Sequence, residues 1–282
     1  MSSLEDLLST LEFTPADGGG LQATSLDEGR GVVFGGQLLA QTIAAAAAAV
    51  PSHEVKSVHT VFARGASVEA PLDIDVDVLH QGRSAGSVNV TIRQGDRLCT
   101  QALVLMHVPD PDLIRHEAPM PTVGKPDDFA PRSPGGFWDI RIVDDVDFSD
   151  PDLVGPAELN VWSRFEAAPA APAVNQALLA YATDGFLIAT AMRPHKGVGQ
   201  AQAHVSVSTT VMSHTITFHE PVDASQWLLL AHESPYAGRG RSYGRAHVFT
   251  EDARHVASYV QENMIRAFPE GQAPGAGQRS KH

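Results

Sequence analysis

The sequence predicts an α+β chain built from two copies of one unit, each a long buried helix wrapped by a curled antiparallel sheet. Three observations predict it. Two apolar helical runs, 34–51 and 175–194, each stop at a proline. Each run is followed by strand-like segments with period-two alternation. Ser84 and Met106, and Ser242 and Met264, lie the same 22 residues apart and align without a gap, and each stretch is entered through Gly-Arg-Ser.

The elements follow in order. Residues 3–12 read as a short amphipathic helix with Ser3 as N-cap. "FGGQLLAQTIAAAAAAVP" (34–51) opens on glycines, runs through strong helix formers and ends at Pro51. Its near-total lack of a polar face predicts a buried helix. "VHTVFARG" (58–65) is strand-like, and "PLDIDVDVLHQ" (71–81) alternates Leu72, Ile74, Val76 and Val78 with Asp73, Asp75 and Asp77. That is the pattern of a half-exposed strand. "SVNVTIRQGDRLCTQALVLMHV" reads as two strands joined at Gln94-Gly95-Asp96. The Pro-, Asp- and Gly-rich stretch 108–136 is a crossover. Segments 137–145 and 157–167 open copy two as strands, and 175–194 is its helix. "SHTITFHEP" (213–221) echoes "VHTVFARG", and "QWLLLAHESPYA" and the closing pair complete the unit. The division is 1–110 for the first copy, 111–136 for the crossover, 137–270 for the second copy and 271–282 for a disordered polar tail.

Composition narrows the function classes. Hydrophobic residues make up 43% of the 282, enough for a sizeable core. No run of 18 apolar residues is present, and "MSSLEDLLSTLEF" lacks the basic start and apolar core of a signal peptide. The net charge of −13 disfavours nucleic acid, which calls for a basic excess. A lone Cys99 excludes an intramolecular disulfide and a Cys-rich zinc site, and the whole fits a reducing cytoplasm. Thirteen histidines include no His-x-x-x-His pair and no tight cluster with Asp or Glu, so no metal is expected.

"GRSAG" (82–86) matches the Gly-x-Ser-x-Gly of a nucleophile elbow, but an elbow needs a strand before it and a helix after it. Here a strand follows, and "GRSYG" (240–244) repeats the motif in the same setting. A motif occurring once per copy reads as a shared turn, not as two nucleophiles.

A duplication is an internal control, so residues polar in only one copy are candidates for chemistry. Gln261, Glu262 and Asn263 replace Leu103, Val104 and Leu105 in the gapless match. Alternation sends Gln261 and Glu262 to opposite faces, so one points inward. Asp184 has no counterpart among Ala44 to Ala49. On a continuous helix it shares the apolar stripe of Ala180, Tyr181, Leu187, Ile188 and Ala191, where a carboxylate is costly unless hydrogen-bonded or functional. Alternatively, Gly185 breaks the helix and Asp184 caps the part beginning near Phe186. A carboxylate and a carboxamide suit hydrolysis by a bound water: the first takes the proton and the second holds the water without competing for it. A hydroxyl is a natural third partner.

At these residues the chain resembles the acyl-CoA thioesterase II (TesB-like) family, which has a double hotdog fold. The likeness runs through "FGGQLLAQ" (34–41), "VHTVFARG" (58–65), "APMP" (118–121), "LAYATDGF" (179–186), "TFHEPVDASQWLLL" (217–230) and "VASYVQENMIR" (256–266). It implies that Asp184 and Gln261 orient a hydrolytic water together with a strand threonine. That threonine's position holds Val211 here, which leaves Thr209, Thr210 and Ser213 as sources of a hydroxyl, Ser213 being the first choice. The resemblance also implies hydrolysis of acyl-CoA to fatty acid and CoA with no cofactor, an apolar tunnel beside the second helix, and cations for the CoA phosphates. Arg64, Arg239 and Arg241 are the candidates, against their reading as ordinary solvated arginines. A hotdog hydratase or dehydratase would place a histidine five residues after the aspartate, where this chain has Ala189. A non-catalytic acyl-ligand binder is the remaining rival. By analogy a homodimer or larger homo-oligomer is expected. "SKH" differs from a peroxisomal address at His282.

Overall fold

The computed structural model describes residues 3–16, 19–27, 29 and 31–268. The polar tail 271–282 and the "SKH" terminus lie outside them. In chain order the elements are α1 (Leu4–Ser9), β1 (Thr14–Pro15), β2 (Leu21–Ala23), α2 (Gly35–Ala49), β3 (Glu54–Phe62), β4 (Leu72–Gln81), β5 (Ala85–Gln94) and β6 (Arg97–His107). Then come β7 (Pro131–Arg132), β8 (Asp139–Ile142), β9 (Glu158–Arg164), α3 (Pro172–Thr183), α4 (Leu187–Met192), β10 (Val207–Phe218), β11 (Leu228–Gly238), β12 (Arg241–Thr250) and β13 (His255–Ala267). Among the described residues the strands form one antiparallel sheet in the order β1-β2-β4-β5-β6-β3-β10-β13-β12-β11-β9-β8-β7. The centre of that order is a mirror: β3-β6-β5-β4 runs one way and β10-β13-β12-β11 the other. The copies join where β3 pairs with β10, from Ser57↔Thr217 to Val61↔Ser213.

Sheet and helices meet in a shared core. Helix α2 packs on β3 to β6, α4 packs chiefly on β11 and β12, and α2 and α3 pack on each other. The helix-on-helix contact is close because α2 begins with two glycines. A Cβ on Gly36 would lie 2.3 Å from the Tyr181 carbonyl oxygen and 2.6 Å from Phe34 Cε1. Phe34 meets the Tyr181 ring edge-on at 5.0 Å. The glutamines of α2 are spent on the N-terminal segment: Gln41 donates to the Thr10 and Thr24 carbonyls, and Gln37 accepts from the Leu26 N–H. Ser3 caps α1 as expected, in a capping box with Asp6. Among the described residues no helix is long and apolar enough to cross a membrane.

The structure corrects two sequence expectations. First, 175–194 is not one helix: α3 ends with Asp184 at its C-cap, and α4 starts after Phe186. The break falls at Gly185, as the alternative reading anticipated, but Asp184 closes the first helix and does not cap the second. Second, the gapless Gly-Arg-Ser match is not the structural one, because the two turns differ. Gly82 to Ser84 lie between β4 and β5, with the Gly82 N–H donating to Ala85 O at 2.8 Å. The other turn is two residues, Arg239 and Gly240, with φ of 56° and 74°, as a type I′ hairpin demands. Ser84 is therefore exposed in a turn, while Ser242 is buried in a strand. Ladder register matches Gly86 to Ser242, Val88 to Gly244, Val104 to Gln261 and Met106 to Asn263. The bulges agree: β3 has one between Val55 and Ser57, and β10 between Val211 and Ser213.

The second copy buries two histidines completely. His232 Nδ1–H donates to Leu159 O at 2.7 Å and its Nε2 accepts from Tyr259 O–H at 2.5 Å. His214 stacks on Tyr259 at 5.5 Å. Burial lowers His214 to about 3 and His232 to about 4, so both are neutral. On the outer face His219, His247 and His255 gather around Ser258, and each is lowered first by burial and then by neighbouring cations.

Two predictions follow from packing and charge. Gly36→Ala should destabilise the protein by roughly 1–3 kcal/mol through overpacking at α2–α3, read as a lower melting temperature. An unchanged melting temperature would mean the helices can separate at no cost. For the histidines the folded pKa lies below the unfolded one. Their contribution is complete above the unfolded value of about 6.5 and is lost as pH falls, at up to ~1.4 kcal/mol per pH unit for each of the fully buried His214 and His232. Melting temperatures should decline from pH 6.5 toward pH 5, above the carboxylate range, and a flat profile there would contradict the burial argument.

Candidate functional site

The break after α3 places Asp184 beside the start of α2 and the middle of β13. Asp184 Oδ2 sits 2.5 Å from the position a Gly35 Cβ would take, and Phe62 Cε1 sits 3.3 Å from it. Any side chain at 35 would displace the carboxylate. The positive end of the α2 dipole thus faces an anion supplied by the other copy. Asp184 is half-buried. Its charge, after burial, pushes the buried Tyr259 hydroxyl upward.

Gln261 meets Asp184 directly. Gln261 Nε2 donates to Asp184 Oδ1 at 3.2 Å and to the Thr183 carbonyl at 3.4 Å. With its nitrogen so engaged, the carboxamide presents Oε1, which is buried and has no hydrogen-bond partner. His214, the ladder partner of Gln261, points to the same face. Thr183 Oγ1 gives its proton to Ala180 O at 2.8 Å and so accepts from His214 Nε2–H at 2.8 Å. His214 Nδ1 is left as a bare acceptor, buried and unpartnered. Gly244, opposite Gln261 on β12, leaves room for Leu187, whose Cδ2 would be 2.7 Å from a Cβ there.

The remaining candidates separate. Ser213 is opposite Glu262, which is exposed, so its side chain points away from Gln261. This corrects its choice as the third site residue. The bulge at Met212 is the reason: it adds one residue, and the inward positions of β10 become Thr209, Val211 and His214. Thr209 is buried, opposite Ile265, with Oγ1 3.4 Å from His204 Nε2. Thr210 is exposed. Arg64 lies just past β3 and is exposed, as are Arg239 in the hairpin turn and Arg241. Arg241 alternates with the inward Ser242, and its Nη1 donates to Gly240 O. None of the three enters the buried site. Among the described residues no group of three or more His, Cys, Asp or Glu is arranged to hold a metal ion.

Sequence reasoning did not identify Gly35, His214 or Ser242 as parts of this face, and it reached Asn263 only as a member of the polar run that replaces Leu103, Val104 and Leu105. The glycine pair and the polar run at 261–263 were the available signals. The two turns of unequal length hid the register.

Comparison with known proteins agrees with this architecture. The family model for the acyl-CoA thioesterase N-terminal domain matches residues 24–107, and that for the acyl-CoA thioesterase C-terminal domain matches 115–265. The acyl-CoA thioesterase 2 of Haemophilus influenzae is 29% identical, over 93% of this chain and 98% of its own. The crystal structure of an acyl-CoA thioesterase II from Mycobacterium marinum superposes with a TM-score of 0.79 at 25% identity, over 95% of this chain and 99% of that one. A hot dog fold protein from Alicyclobacillus acidocaldarius shares the fold, with a TM-score of 0.75 at 20% identity, over 93% of this chain and 98% of that one. Matched in both halves, the chain belongs to the TesB-like acyl-CoA thioesterase II family.

Proposed function

We propose that the protein hydrolyses acyl-CoA to a free fatty acid and CoA with a water activated by Asp184. The observation that carries this reading is the contact between Asp184 Oδ1 and Gln261 Nε2 at 3.2 Å beside an unspent, buried Gln261 Oε1. A water donating one proton to Asp184 and the other to Gln261 Oε1 turns its lone pair outward. As it attacks the thioester carbon, Asp184 takes its proton. The tetrahedral intermediate collapses, the C–S bond breaks, and the carboxylic acid proton on Asp184 passes to the departing thiolate. Atoms and charge balance without a covalent enzyme intermediate, and no cofactor enters the scheme.

Other features support the same reading. Neither Gly-x-Ser-x-Gly serine is followed by a helix, which disfavours a serine nucleophile. Ala189 is buried in α4 and offers no acid or base for hydration chemistry. The exposed Arg64, Arg239 and Arg241 are the proposed cations for the CoA phosphates. Exposed Val61, Leu103 and Leu105, on neighbouring central strands, fit the expected homodimer or larger assembly.

Thiol release from acyl-CoAs of varied chain length tests the proposal. Asp184→Asn should lower turnover by at least about 100-fold, the scale of a lost general base. Ser84→Ala should keep activity. Loss in the serine variant alone would overturn the mechanism. Absence of turnover with every acyl-CoA by the native protein would favour an acyl-ligand binding role.

A further inference from the structure

The two copies solve the same packing problem with different chemistry at one patch. In the first copy the inward residues at this level are Val55, Val58, Val104, Met106, Gly86 and Val88. All are apolar, and the five in the buried core are at most 1% exposed, with Gly86 buried beside them. Register gives their counterparts as Val211, His214, Gln261, Asn263, Ser242 and Gly244. His214, Asn263 and Ser242 are 0% exposed and Gln261 is 1% exposed. Each keeps a polar atom without a protein partner: His214 Nδ1, Gln261 Oε1, Ser242 Oγ, and both ends of the Asn263 carboxamide. A buried polar group without a partner destabilises the fold, and most native ones are paired. Four such residues on adjacent rungs, where the sister copy places two valines, a methionine and a glycine, mark a site built for a polar ligand.

Donor and acceptor chemistry divides the patch in two. Around Gln261 the unspent atoms are acceptors: Gln261 Oε1 and the bare His214 Nδ1. Acceptors hold a water, which donates. One rung along, roughly 6.7 Å by strand geometry, the unspent atoms include donors, the Asn263 Nδ2 protons and the Ser242 hydroxyl, beside the Asn263 Oδ1 acceptor. A thioester carbonyl oxygen, which becomes an oxyanion on attack, needs donors. Ser242 and Asn263 are ladder partners, so their side chains project side by side. Across the other ladder Asn263 faces Val211, the inward β10 residue that carries no polar group.

We propose that Asn263, with Ser242 beside it, donates hydrogen bonds to the thioester carbonyl oxygen and stabilises the negative charge that forms there. This rests on the hydrolytic reading of Asp184 and Gln261 and adds the electrophilic half of that site. Asn263 is then a catalytic residue, a donor on the strand that faces the apolar Val211. The second Gly-x-Ser-x-Gly serine acts as a donor, not as a nucleophile.

The test compares the native protein, Asp184→Asn, Asn263→Ala, Asn263→Leu, Ser242→Ala and the double variant Val211→Thr/Asn263→Ala, using thiol release from a saturated acyl-CoA series together with melting temperature. Asn263→Ala should lower kcat by about 100-fold or more with KM changed far less, as for loss of an oxyanion donor. Ser242→Ala should lower kcat less. Val211→Thr should recover at least about tenfold of the lost rate, because its hydroxyl restores a donor on the facing strand. Asn263→Leu should be as slow as Asn263→Ala yet melt higher than the native protein, since it removes an unpaired buried amide. The inference is overturned by native-like kcat in Asn263→Ala, by a double variant no faster than Asn263→Ala, or by a lower melting temperature in Asn263→Leu, which would make Asn263 structural. If Asn263→Ala stays fast while Asp184→Asn is dead, this inference falls and the base assignment stands. If the native protein turns over no acyl-CoA, the hydrolytic reading falls, and the Asn263→Leu melt still separates a site residue from a structural one.

Discussion

The close approach of α2 to the end of α3 is the constraint on which the site depends. Gly36 lets the helix start press against the Tyr181 carbonyl, and Gly35 leaves the space that Asp184 occupies. Both glycines come from the first copy and the carboxylate comes from the second. The polar residues of the site all come from the second copy, and the joint between copies supplies the space and the helix start that receive the carboxylate. The β3–β10 pairing fixes that joint in register. A helix continuing through 184 would have carried the carboxylate along the apolar stripe; ending α3 there turns it toward the α2 dipole instead.

The duplication also distributes stability and chemistry unequally. The first copy fills its inner patch with Val55, Val58, Val104 and Met106, all essentially inaccessible to water. The second copy puts His214, Gln261, Asn263 and Ser242 on the same rungs. Unpaired polar groups weaken the fold that holds them, and the apolar copy offsets that cost through a core continuous with it. His232 shows the other use of a buried polar residue. Its two nitrogens are both satisfied, by Leu159 O and Tyr259 O–H, so it braces the wall without facing the site.

Much of this was legible before any coordinates. Period-two runs and proline-stopped apolar runs locate the strands and helices because burial on one face imposes those periods. Asp184 and Gln261 stood out because each is polar where its copy has no reason to be. Side-chain direction on β10 was harder to read. A bulge at Met212 shifts the phase by one residue, and nothing in "TTVMSHT" announces it, so Ser213 looked inward and points outward. The turns misled in the same way. Gly-Arg-Ser occurs twice, but one copy lies in the turn and the other enters the strand, which shifts the correspondence between the copies. The identity of a residue survives such a shift, but its orientation does not.

That shift changes what the second serine motif means. Read in sequence, Ser84 and Ser242 are twins, and a feature present in both copies argues for a turn. Read by ladder register, Ser242 corresponds to Gly86, and the copies differ at that position. Difference between copies is the signal that singled out Asp184 and Gln261, and Ser242 and Asn263 satisfy it equally. A rung of acceptors alone beside a rung that also carries donors matches the two reactants of a hydrolysis: a water that must lose a proton and a carbonyl that must gain negative charge. The physical logic therefore places the serine opposite the role its motif suggests. In the proposed mechanism it faces the electrophile's oxygen, while the nucleophile is held one rung away by a carboxylate and a carboxamide.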